Sequence, residues 1–329
     1  MRITYAQAVK ETLAQEMRRD ERVFVMGEDV QVLGGVFGCT KGLADEFGEE
    51  RCFNTPISEA GFIGAGLGAA CAGMRPVVEL MYMDFCLVAA DQVVNQVAKT
   101  RYIFGGKARI PLVIRGQQGI GRGNAATHSQ SLETMFMHVP GLKIACPSTA
   151  ADVMGLLRTA IRDDNPVLFF EHKALYNNKE DIPSEIFDNL DYTIPFGQAA
   201  IRREGKDVTV VSNLLYVSRA LEAAKELEKQ GIDAEVIDIR TIAPFDYETI
   251  IESVKKTGRL VIVHEAHKIA GWGSQVAAEV MEKAFKYLDA PIQRLGAKHC
   301  PLAFNLGLEN AIVPQISDIV DACKAVLYK

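Results

Sequence analysis

Short apolar runs alternate along the chain with stretches whose apolar positions recur at helical spacing. Residues 4–19 predict a helix, and Val23-Phe-Val-Met26 predicts a buried strand. Leu33-Gly-Gly-Val-Phe-Gly38 is a glycine-rich loop, followed to about Glu50 by a helical segment with a charged face. Next come Cys52-Phe53, a helix opening at Glu59 behind Ser58 as its expected N-cap, and the strand Pro76-Val-Val-Glu-Leu-Met-Tyr82. A long helix is expected over 84–103, then strands at Ile110-Pro-Leu-Val-Ile-Arg115 and Leu142-Lys-Ile-Ala-Cys146. A helix over 150–163 and the strand Val167-Leu-Phe-Phe170 complete an alternation that predicts a mostly parallel sheet covered by helices on both faces.

Periodicity is lost from about Tyr176 to Pro195, where Asn177-Asn-Lys-Glu-Asp-Ile-Pro-Ser-Glu185 is polar. The break divides the chain into a domain at 1–176, a linker at 177–198 and a second α/β domain at 199–329. Strands in the second are expected at Val208–Val211, Ala234–Ile239, Leu260–Val263 and Ile292–Leu295. Helices are expected near 216–229, 247–256, 273–288 and 315–327.

Hydrophobic residues make up 48% of the 329 positions and charged residues 24%, which suits a globular chain long enough for two domains. A net charge of −6, with basic and acidic residues interspersed, gives no nucleic-acid footprint. No apolar run reaches membrane-spanning length. The start enters a helical pattern at once, unlike a signal or transit segment. The 7 cysteines form no Cys-x-x-Cys pair, and reduced thiols in a cytoplasmic protein are expected.

Candidate chemistry gathers around Asn54-Thr-Pro-Ile-Ser-Glu59. Small residues follow at Gly61, Gly64, Ala65, Gly68, Ala69 and Ala72, a face that lets another backbone approach closely. A carboxylate at the mouth of such a helix stands between desolvation and the helix dipole, which act on its proton in opposite senses. It also reads as a simple first-turn cap. The loop Gly116-Gln-Gln-Gly-Ile-Gly-Arg-Gly-Asn124 leads to His128, which is either a proton carrier delivered by a flexible segment or an ordinary exposed histidine. Leu80-Met-Tyr-Met-Asp-Phe85 is an apolar and aromatic platform or plain core. Gly64–Ala69 fits G-x-G-x-x-A but follows no strand, so no dinucleotide site is assigned. A phosphate-cradling P-loop is missing, and His264-Glu-Ala-His267 lacks zinc-protease spacing.

Four stretches, Asn54–Gly61, Met81–Phe85, Ala125-Ala-Thr-His-Ser-Gln130 and Ala160-Ile-Arg-Asp-Asp-Asn-Pro166, together resemble one family. It is the beta subunit of the heterotetrameric thiamine-diphosphate-dependent 2-oxo acid dehydrogenases, and Val236–Thr241 and Thr257–Leu260 extend the likeness end to end. The resemblance implies a pyrimidine-binding domain followed by a transketolase C-terminal-like domain. It assigns Glu59 to the cofactor's aminopyrimidine ring, with Ile57, Met81 and Phe85 packing that ring and Glu28 nearby. By the same likeness His128 assists proton transfer and acyl passage to lipoamide. Leu112, Ala160, Ile161, Asp163 and Asn165 match positions whose backbone carbonyls hold potassium. Thr127 stands where relatives usually carry Gln, and the preceding glycine-rich segment also departs from the common pattern.

The family's Gly-Asp-Gly…Asn signature for magnesium diphosphate is absent: Gly-Asp-Gly occurs nowhere in this sequence. Half a cofactor site is therefore expected, with magnesium and diphosphate held by an alpha subunit in an α2β2 assembly. A lipoyl acyltransferase core is the expected further partner. Phe104-Gly-Gly-Lys-Ala108, Phe170-Glu-His-Lys-Ala-Leu-Tyr176 and Ile194-Pro-Phe-Gly197 most resemble the acetoin branch, with pyruvate and branched-chain enzymes as alternatives. A non-catalytic scaffold and an NAD-dependent oxidoreductase are the readings from other classes.

Overall fold

The computed structural model describes residues Met1–Tyr328, which divide into two compact units. One comprises Met1–Gln118 with Met135–Phe196; the other comprises Gly119–Thr134 with the chain from Gly197 onward. This division differs from the one read from the sequence. The first domain is interrupted, because Ile120 buries its side chain in the second unit's core beside Val210, Val263 and Ala297.

In the first unit the parallel strands are β1 (Val23–Gly27), β2 (Cys52–Asn54), β3 (Arg75–Leu80), β4 (Val113–Gln118), β5 (Lys143–Ala145) and β6 (Val167–His172). They lie in the order β5-β6-β4-β3-β1-β2. Both faces are buried, so the strands read as near-continuous apolar runs. The helix α1 (Tyr5–Arg19) starts at a capping box in which Thr4 and Gln7 satisfy each other's backbone N–H groups. It packs beside α3 (Ala150–Arg162), and Arg162 pairs with Glu16 between them. Between these two in sequence lies α2 (Glu59–Cys71).

Four elements depart from the sequence reading. Ser58 makes no cap: its hydroxyl donates to Pro56 O at 3.2 Å, and Glu59 is simply the first helical residue. The strand expected at 110–115 is displaced to β4, because Pro111 has no N–H to give a ladder. The 84–103 helix winds in three ways, as a tight turn at Met83–Leu87, a wide one at Gln92–Val97 and an α-helix at Ala98–Ile103. The expected linker is ordered. Lys179–Asp181 pairs antiparallel with Arg2–Thr4, and buried Arg158 donates from Nη1 to the carbonyls of Ile186, Asn189 and Tyr192, 3.1 Å each.

The second unit holds a five-stranded sheet. Its strands are β7 (Ala200–Arg203), β8 (Val208–Ser212), β9 (Ala234–Asp238), β10 (Leu260–His267) and β11 (Gln293–Ala297), in the order β11-β10-β8-β9-β7. Only β7 runs antiparallel, as an edge strand that sequence periodicity missed. Its helices are α4 (Leu215–Glu228), α5 (Tyr247–Thr257), α6 (Trp272–Ala284), α7 (Leu306–Ile312) and α8 (Ile316–Val326). No cysteine is in a disulfide, and no described helix is long and apolar enough to cross a membrane.

Candidate active site

The carboxyl ends of parallel strands are where an α/β sheet presents a ligand site, and the candidate residues of the first unit gather there. Glu28 follows directly on β1, and Glu59 opens α2 just beyond the Asn54–Ser58 turn. Both are buried, at 6% and 7% exposure. Neither side chain has a hydrogen bond or ion pair among the described residues, and Glu28 Oε1 is sealed from solvent with no partner. Burial, then the neighbouring Glu59 charge, push the Glu28 carboxyl above its ordinary range. Two neighbouring acids without a cation are costly to bury, which makes the pair a candidate ligand site.

Met81 and Phe85 stand half-buried just after β3, where the Met81–Tyr82 peptide is cis. Ile57 is 82% exposed, a bare apolar side chain beside the buried Glu59. Along α2, Gly61, Ala65 and Gly68 also face outward, and a groove of about 370 Å³ runs past Phe53, Pro56, Phe62 and Ala69. The opposite side packs on the unit's own sheet: a Cβ at Gly66 would come within 2.9 Å of Val78. The small residues thus serve two faces, of which one stays open.

A neighbouring cluster escaped sequence reasoning. Arg115 is fully buried and forks onto Glu171, Nε to Oε1 at 2.5 Å and Nη2 to Oε2 at 2.6 Å, while Nη1 reaches Glu79. Tyr176 donates to Glu171 Oε2 at 2.7 Å. Gly35 closes over this cluster with φ of 73°, and a Cβ there would lie 2.7 Å from Glu79 Oε1. Phe37, two residues on, packs against Tyr176 with ring centroids 4.9 Å apart and planes tilted by 36°. The signal was present in sequence: single charges interrupt Val77-Val-Glu-Leu80, Val113-Ile-Arg115 and Phe169-Phe-Glu171, where a two-sided buried strand wants apolar groups.

Leu112, Ala160, Ile161, Asp163 and Asn165 sit before β4 and around the carboxyl end of α3. The oxygens are engaged: Leu112 O accepts from Val167 N, Ala160 O from Asp163 N, and Ile161 O and Asp163 O both from Arg75 Nη1. Asn165 Oδ1 accepts from Arg101 at 2.9 Å. A helix carboxyl end favours cations, and here guanidinium groups already answer much of that demand.

His128 belongs to the other unit, in the segment Gly119–Thr134. It is half-exposed, with its Nδ1 2.9 Å from the Thr127 hydroxyl, so the residue that departs from the family pattern is the ring's neighbour. His264, by contrast, is structural. It packs on Trp272 at 4.9 Å, binds Ala266 O through Nδ1 at 2.9 Å, and burial drives its pKa down to about 4.

Residues 1–179 match the transketolase pyrimidine binding domain and residues 197–319 the transketolase C-terminal domain. Over 328 residues the chain is 49% identical to the pyruvate dehydrogenase E1 component subunit beta of Rickettsia felis, covering 100% of this chain and 99% of that one. This chain belongs to the 2-oxo acid dehydrogenase beta-subunit family. Another member, the acetoin:2,6-dichlorophenolindophenol oxidoreductase subunit beta of Cupriavidus necator, is 46% identical across 97% of this chain and 96% of its own. Its Bacillus subtilis counterpart is 45% identical, with 99% and 97% covered. Among solved structures, an inactive beta4 tetramer of a split-gene transketolase superposes with a TM-score of 0.81 at 23% identity, over 99% of this chain and 98% of that one, which fixes the fold. Family membership makes the chain part of a thiamine-diphosphate-dependent enzyme.

Proposed function

We propose that this chain forms the aminopyrimidine half of a thiamine diphosphate site, and that an alpha subunit grips the diphosphate and its magnesium. The observation that carries this reading is the pair Glu28 and Glu59, buried together without a cation or donor from their own unit. A protonated ring nitrogen is the partner such acids lack. Glu59 holds and returns the proton shared with that ring, while Ile57, Met81 and Phe85 give it apolar contact. Thiamine diphosphate, when bound, supplies the carbanion-stabilising carbon. His128 moves a proton as the acyl unit passes to lipoamide on an acyltransferase core, help worth about 10²–10⁴ in rate.

Exposure of Ile57 and of the small-residue face of α2 supports a site shared across subunits; we take the assembly to be α2β2 and cytoplasmic. Potassium at Leu112, Ala160, Ile161, Asp163 and Asn165 would share its carbonyls with Arg75 and act on stability only.

The substrate is one that leaves an acetyl unit, pyruvate or acetoin. Two of the three acetoin-like stretches prove to have packing reasons. Glu171 and Tyr176 build the Arg115 cluster, and Ile194 covers Gly155. They therefore carry no weight in choosing the substrate.

The test is co-expression with candidate alpha subunits and dye-coupled assay of pyruvate, acetoin and branched-chain 2-oxo acids. Turnover of pyruvate or acetoin that needs both chains and the cofactor is expected. Turnover by this chain alone would refute the half-site, and an inert but assembled complex would favour a scaffold.

A further inference from the structure

The segment that carries His128 is tied down by two carboxylates from distant parts of the second unit. Ile120 N donates to Glu265 Oε1 at 2.8 Å, and Ser131 Oγ donates to the same oxygen at 3.0 Å. One atom thus holds the limb entering the loop and the limb leaving it. Gly121 N donates to Glu309 Oε2 at 3.0 Å, and Gly119 N closes the base on Gln130 O at 3.3 Å. Gly123, at φ of 62°, runs so close to the Asn305 turn that a Cβ would lie 2.5 Å from Phe304 O. Between these ties the chain from Arg122 to His128 is half-exposed or exposed except at Gly123.

Glu309 is the telling residue. It is fully buried on α7, its Oε1 has no partner, and among the described residues its carboxylate makes one hydrogen bond, to the loop. For stability alone an apolar side chain would serve better, since a buried acid with a single donor keeps most of its desolvation cost. What the acid does provide is a directional tie on a glycine-rich backbone that has little side-chain packing of its own.

We infer that Glu265 and Glu309 are positioning residues for His128, fixing both limbs of its loop so that the imidazole is delivered along one path. This rests on the reading that His128 serves acyl transfer. Near-attack geometry is steep enough that a shift of about 1 Å costs about 10²-fold in rate.

The test uses the assembled complex carrying Glu265→Ala, Glu309→Ala, Glu265→Gln or Glu309→Gln. Two readouts are taken: trypsin nicking after Arg122, and acyl transfer to an isolated lipoyl domain. The alanine variants are expected to be nicked about tenfold faster, the equivalent of one lost hydrogen bond in local stability. Their transfer kcat should fall about tenfold or more with KM for the lipoyl domain nearly unchanged. The glutamine variants, whose amide oxygen still accepts, should stay within about threefold of the parent in both readouts. Wild-type nicking or wild-type kcat in the alanine variants would overturn the inference, as would glutamine variants that fall as far as alanine. Should an alanine variant not fold, Ser131→Ala decides: about threefold faster nicking is expected, and an unchanged rate overturns. If the parent complex turns over no substrate, the functional reading fails while the nicking rates still decide the anchoring.

Discussion

Replacing Arg115 with Met takes the cation from between Glu79 and Glu171, which are 3% and 0% exposed. Three charge-assisted hydrogen bonds go with it, two in a fork onto Glu171 and one to Glu79. Exchanging the whole cluster for neutral groups would be far milder, because the pair's attraction mainly offsets its own desolvation. Removing one partner alone leaves buried charge uncompensated, and costs about 3–5 kcal/mol. The pH dependence follows from Glu79. Burial first, then Glu171, push its pKa up, and Arg115 is what holds it down. Without Arg115 the folded Glu79 binds its proton still more tightly than the unfolded chain does. A group raised in the folded state stabilises below its unfolded pKa, and that stability is lost as pH rises through the folded value. The deficit of Arg115→Met should therefore be smaller near pH 5 than at pH 8, read as the shift in urea midpoint against the parent. The triple variant with Glu79→Gln and Glu171→Gln should recover more than half of the loss. A deficit under about 1 kcal/mol at both pH values, or a triple variant no better than the single one, would refute the reasoning.

His264 gives a second pH test of opposite sign. Its pKa falls from 6.5 unfolded to about 4 folded, so the unfolded chain gains a proton first and stability is lost as pH drops below 6.5. At pH 4.5 that loss is about 2–3 kcal/mol relative to pH 7.5, and His264→Gln should abolish this part of the urea-midpoint shift. Gly155→Ala on α3 should destabilise by about 1–3 kcal/mol in thermal unfolding, because the new methyl meets Ile194 at 2.5 Å and Tyr192 at 2.9 Å. The helix-propensity gain of about 1 kcal/mol is too small to offset that clash, and a raised Tm would show the covering segment to be loose. Glu59→Gln should leave assembly with the alpha subunit intact and lower turnover by about 10²-fold or more, with retained turnover pointing to a scaffold role.

What was legible in the sequence was local. The apolar runs of β1, β3 and β6 name themselves, and Glu59 stands out because its turn, its helix and its small-residue face are contiguous. The Arg115 cluster was not legible in this way. Its acids lie 36 and 56 residues from the arginine and meet it only because the sheet order places β4 between β3 and β6. The anchors of the His128 loop are farther still, at 145 and 188 residues. The linker misled for a related reason. Its polar composition is that of a free segment, yet one buried guanidinium, Arg158, collects three of its carbonyls at once.

The buried acids themselves separate structure from function. Glu16 has Arg162, Glu171 and Glu79 share Arg115, Asp238 has Arg202, and Glu235 has Lys256. Each of these is a charge whose desolvation is offset within the fold, by a cation on a packed helix or a neighbouring strand. Glu28 and Glu59, like Glu309, are buried without a cation, but where Glu309 accepts from Gly121 N, these two accept no hydrogen bond among the described residues. A fold selected for stability alone would have neutralised one of them, as Glu→Gln does at no cost in volume. We read their persistence as a neighbouring pair beside an exposed Ile57 as room for an offsetting group from outside the chain. A heterocycle that can carry a proton meets that need, and a simple metal cation does not account for the apolar side chains beside them.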